Sequence, residues 1–114
     1  MNLKINVLGT DYTVVDRALS EDSTLEGLAG YCDHDGHLIV IRTQDDECPS
    51  SNFAAYRREV LRHELTHAAL YESGLGDSWE HNTLTGHDET VVDWFAIQFP
   101  KLTKIFAEAG CSEG

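Results

Sequence analysis

The residues with the clearest chemical potential are His63-Glu64-Leu65-Thr66-His67, an HExxH pentad in a segment that reads as helix. At 3.6 residues per turn, positions four apart lie about 40° apart around the axis, so both imidazoles point the same way. Two neutral imidazoles so placed can hold one metal ion, and the glutamate between them then stands beside a water at that ion. This is the core of a metal-assisted hydrolase. A shuffled chain of this composition would contain the pentad roughly once in forty trials, so its surroundings must carry part of the argument.

A catalytic zinc site needs a third protein ligand and one open position. Downstream candidates are His81, His87, Asp88, Glu89 and Asp93. Glu89 and Asp93 are spaced i, i+4 and share a helix face with Val92 and Ala96. On that face Glu89 completes a His-His-Glu set, and Asp93, one turn on, can accept the Nδ1–H of a ligand histidine. His87 is the rival third ligand, just before the helix. His81 and His34 read as surface histidines, although His81 or His87 could instead polarise a substrate carbonyl.

The elements that must position these groups are legible in outline. Residues 1–42 read as β-rich. Leu3–Val7 alternates apolar and polar, and Tyr12–Val15 resumes after Gly9-Thr10-Asp11, which gives a first hairpin. Gly30–Cys32 and Leu38–Ile41 flank an Asp35-Gly36 turn and give a second. Residues 20–28 are polar, a loop or a short helical turn, and 43–52 form a loop containing Pro49. The active-site helix spans 52–74. Its solvent arc carries Arg58, Glu59, Arg62, Thr66 and Ser73, and its apolar arc Phe53, Tyr56, Val60, Leu61, Leu65, Ala68 and Tyr71. His63, Glu64 and His67 fall inside the apolar arc, where buried polar groups need partners; a metal would supply them. Residues 75–87 read as loop, 88–99 as a third-ligand helix broken at Pro100, and 101–109 as a short C-terminal helix.

Composition narrows the function classes. The 114 residues imply one domain, residues 1–114, of α+β class. No apolar run is long enough to span a membrane, and the start MNLKINVLG lacks a signal-peptide pattern. Three scattered cysteines without CxxC spacing point to a reduced, cytoplasmic protein and away from thiolate zinc ligands. Twenty acidic against eight basic residues, a formal charge of −12, argue against direct nucleic-acid binding. The same charge admits an acidic protein that imitates nucleic acid in the cleft of a DNA-binding protein.

With these residues in place, the chain resembles a family. HExxH followed after some twenty residues by Glu89-Thr90-Val91-Val92-Asp93 has the gluzincin layout HExxH…ExxxD. More closely, residues 59–102 resemble the ImmA/IrrE-type metallopeptidases of bacteria and phages, including small phage-encoded members, with Glu89 six residues before Phe95-Ala96. The resemblance implies a minimal zincin-like core: a small antiparallel or mixed N-terminal sheet packed on an HExxH helix and a glutamate helix. It further implies one Zn2+ ion, a bacterial or phage-infected cytoplasm, and a protein or peptide substrate, by analogy a repressor-like or other regulatory protein. An edge strand that pairs with extended substrate is also implied, with Leu38–Ile41 in that role. Thr66 departs from the glycine of the common HELGH. SprT-like proteases share HExxH but usually take a third histidine, which would fit His87 better than Glu89.

The leading expectation is therefore zinc-dependent peptide-bond hydrolysis, with His63, His67 and Glu89 as ligands and Glu64 as general base. The competing expectation is a non-catalytic, zinc-containing acidic binding protein, a phage-type inhibitor of a DNA-binding protein. A third is a metal-free globular protein in which the pentad is accidental.

Overall fold

The described residues form a mixed four-stranded sheet with two long helices, as expected for the α+β class. The computed structural model describes residues 2–47, 50–75 and 89–113, except for the side chains of Glu89, Val92, Asp93 and Ala96. Strands β1 (Leu3–Val7), β2 (Thr10–Arg17), β3 (Gly30–Asp33) and β4 (Leu38–Arg42) lie in the order β1-β2-β4-β3. Helix α1 spans Phe53–Glu72 and helix α2 spans Glu89–Glu108. No described helix is long and apolar enough to cross a membrane.

Local chemistry accounts for both hairpins. Val7 pairs with Thr10, so Leu8 and Gly9 alone form the first turn, at φ 51° and 102°. Two positive φ values are what a tight two-residue hairpin requires, and Gly9 adopts one without cost. Asn6 supports the turn by accepting from Gly9 N at 3.0 Å. The strand therefore restarts at Thr10, inside the stretch read from sequence as turn. In the second hairpin Asp33 pairs with Leu38, and Asp33 Oδ1 accepts from Gly36 N at 3.0 Å. The polar segment after β2 forms two 3-10 turns, Leu19–Glu21 and Ser23–Leu25.

The centre of the sheet is the parallel pair β2·β4. Consequently Leu38–Ile41 is not an edge strand, contrary to the expectation above. Strand β4 is buried on both faces: Ile39 and Ile41 join the core against the helices, while Val40 packs with Val15 and Leu25 on the other face. An uninterrupted apolar run is the usual signature of a doubly covered strand. The edges are β1 and the short β3.

Helix α1 lays Val60, Leu61, Leu65, Ala68 and Ala69 on Ile5, Val7, Tyr12 and Val14. Its N-terminus is capped by Asn52, whose side chain accepts from Ala55 N at 3.2 Å, a bond that satisfies one of the first-turn donors. Arg57 ties it to β2 through a two-pronged bond to Asp16 at 2.8 and 3.0 Å. Arg42, buried at the end of β4, donates to Asp45 and Glu47 and so orders the approach to α1.

The second half of the chain departs from expectation at Pro100. Helix α2 runs through it, so the two helices expected at 88–99 and 101–109 are one, Glu89–Glu108. Proline lacks an N–H and crowds the carbonyl four residues back, at a cost of about 3 kcal/mol. Burial of Leu102, Ile105 and Ala109 in the core on the far side of Pro100 offsets that cost. At about 1.5–3 kcal/mol per large apolar side chain, Leu102 and Ile105 suffice.

Candidate metal centre

The pentad lies in the third and fourth turns of α1, and β3 runs alongside it. Gly30 is so close to this helix that a Cβ there would stand 3.1 Å from Val60 Cγ1 and 2.7 Å from Val40 O. Cys32 follows near Glu64: burial, then the charge of Glu64, pushes its thiol up to about 12, so it stays protonated. Beyond the strand, His34 stacks on Tyr71 of α1 with ring centroids 3.9 Å apart and planes 10° apart. Among the described residues β3 is an edge strand, and it flanks α1 beside the pentad.

His63, Glu64 and His67 come together as the spacing predicts, with one potential ligand atom of each lying within 4.8 Å of the others. The two Nε2 atoms are 3.2 Å apart. Two nitrogens on a tetrahedral zinc, with Zn–N about 2.0–2.1 Å, stand about 3.3 Å apart, so this pair fits such an ion without rearrangement. A neutral pair can also share one N–H···N bond at this distance, which one donor and one lone pair suffice to make. His67 is biased towards the neutral form that binds metal: burial of part of the ring, and then His63, lower its pKa.

Burial divides the three residues in a way the helical pattern did not foresee. His63 and His67 are exposed, and only Glu64 is buried, at 6% accessibility. The pattern placed all three in the covered stripe. The sheet ends at β3, however, so the imidazoles at the margin of that stripe face the open side. No described residue hydrogen-bonds to the Glu64 carboxylate, and desolvation raises its pKa, opposed only by His63. A carboxylate held this way is a better proton acceptor than one in water.

Thr66, which stands where the resembling family often has glycine, turns its hydroxyl back onto Arg62 O at 2.8 Å. Of the third-ligand candidates, Glu89 is the first residue of α2 and Asp93 lies one turn further on. Their side chains lie outside the described residues, as do His81, His87 and Asp88 entirely. Trp94, next to Asp93, donates from Nε1 to Ser73 Oγ at 2.9 Å, which ties the start of α2 to the end of α1. Sequence reasoning passed over Gly30, Tyr56 and Glu59, which line a cavity opening on His63 and Glu64. The i, i+3 and i+7 spacing of Tyr56, Glu59 and His63 was the available signal; the contribution of Gly30 had none, because it depends on strand placement.

Comparison with family models, curated proteins and solved structures finds no match for this chain.

Proposed function

We propose that this protein is a zinc-dependent peptidase of the ImmA/IrrE type, holding one zinc ion through His63, His67 and Glu89. The observation that carries the reading is the Nε2 pair at 3.2 Å beside a buried carboxylate with no hydrogen bond from any described residue. A purely structural three-ligand site has no chemical need for that carboxylate, whereas peptide hydrolysis does. Zinc, when bound, supplies a Lewis acid that polarises a scissile carbonyl and acidifies water.

The chain's own residues do the rest. Glu64 takes a proton from the attacking water as the water oxygen bonds to the carbonyl carbon. It returns that proton to the amine nitrogen as the C–N bond breaks. With zinc bound, Asp93 would accept the Nδ1–H of a ligand histidine and fix the ring. The role of substrate-pairing strand passes from β4 to β3, whose outer edge, unpaired among the described residues, offers backbone N–H and C=O groups to an extended peptide. By the same resemblance the substrate is a repressor-like or other regulatory protein in a bacterial or phage-infected cytoplasm.

Hydrolysis of an unfolded protein substrate by zinc-loaded wild type and by Glu64→Gln tests this. Cleavage by the wild type only, with equal zinc in both, is expected. Equal cleavage by the two would remove Glu64 from the role of base.

A further inference from the structure

Beside the paired histidines, the cleft between α1 and the start of β3 widens into a cavity of about 270 Å3. Small-molecule sites usually occupy about 300–1,000 Å3, so this one suits a single side chain better than a whole ligand. Gly30, Tyr56 and Val60 line it together with His63 and Glu64. A Cβ at position 30 would collide with the backbone O of Val40 on the neighbouring strand β4 and crowd Val60 of the helix, so this corner of the cavity requires glycine.

The charge of the cavity is one-sided. Glu59 lies one helical turn before His63 and is exposed at the rim, with no ion pair to any described cation. Among the described residues no Lys or Arg lines the cavity. An occupant with an apolar stem and a cationic head would lay the stem on Val60 and the Tyr56 ring and bring the head to Glu59. The formal charge of −12 adds a long-range attraction for basic segments.

We propose that this cavity is a specificity pocket for a lysine or arginine side chain adjoining the bond to be cleaved. The substrates are then basic, extended segments, with Glu59 and Tyr56 setting the preference. This rests on the peptidase reading and narrows it to a substrate class.

The test uses the zinc-loaded full chain and a set of extended peptides that differ only in the residues flanking the central bond: Lys, Arg, Leu or Glu. Lys and Arg peptides should be cleaved at least about 10-fold faster, in kcat/KM, than Leu or Glu peptides, a difference of about 1.4 kcal/mol. Glu59→Gln should shrink that preference, and Glu59→Lys should reverse the ranking of Lys and Glu peptides while zinc content stays at the wild-type level. Equal cleavage of Lys and Leu peptides, or a basic preference that survives Glu59→Lys, overturns the pocket while leaving the peptidase reading intact. Cleavage of none of the peptides overturns both.

Discussion

Helix α1 carries two glutamates eight residues apart whose surroundings could hardly differ more. Glu72, at its C-terminal end, accepts from Thr10 Oγ1 and from Tyr12 Oη, both at 2.7 Å. Those bonds, Thr10's first, hold its carboxyl below the usual range despite some desolvation. Glu64 is more deeply buried, receives no such bond from a described residue, and is shifted the opposite way. Among the described residues, two hydroxyls donate to the Glu72 carboxylate and none donates to that of Glu64. A charge carried at a cost to stability points to chemistry, and a charge supplied with donors points to structure.

Substitutions of the two residues should separate these roles. The largest effect is on activity: Glu64→Gln should lower kcat by about 10^2–10^4-fold, the usual contribution of a general base, while Glu72→Gln keeps wild-type kcat wherever it is folded. Comparable losses in both would erase the contrast.

Next in size is stability. Glu72→Gln exchanges charged acceptors for a neutral amide at two hydrogen bonds that tie α1 to β2. With solvent screening it should cost about 1–2 kcal/mol in urea unfolding. The pH dependence follows from the lowered pKa of Glu72. A depressed carboxyl stabilises the fold above its unfolded pKa and loses that contribution as pH falls through the folded value. The cost of Glu72→Gln should therefore shrink on acidification; a cost that stays constant down to the acid limit would show that the charge is irrelevant.

The smallest effect has the opposite sign. Glu64 has a raised pKa, so its contribution to metal-free stability is fully present below the unfolded pKa and is lost as pH rises through the folded value. Metal-free Glu64→Gln, which cannot ionise, should match the wild type in acid and exceed its Tm at neutral pH. A lower Tm at neutral pH would mean that the ionised Glu64 has a stabilising partner.

Which parts of this were legible in the sequence follows from the range of the forces involved. The spacing of Val60, Leu61, Leu65 and Ala68 announced α1, and the same periodicity brought His63 and His67 onto one side. The hairpins were legible as alternating strands around Gly9 and Gly36. Strand pairing was not, since alternation gives the faces of a strand but not its neighbours. The parallel β2·β4 pair and the edge position of β3 are non-local outcomes. For that reason the exposure of the two histidines and the cavity at Gly30 escaped notice. Pro100 misled because a local rule met a stronger non-local term, the burial of Leu102 and Ile105.

The central claim is that His63 and His67 hold a metal ion. Metal content of the purified full chain, measured by mass spectrometry for the wild type and for His63→Ala, His67→Ala, Glu89→Ala and His87→Ala, tests it most directly. One zinc per chain is expected in the wild type and in His87→Ala, and its loss in the other three. Stoichiometric zinc retained by His63→Ala or His67→Ala would contradict it.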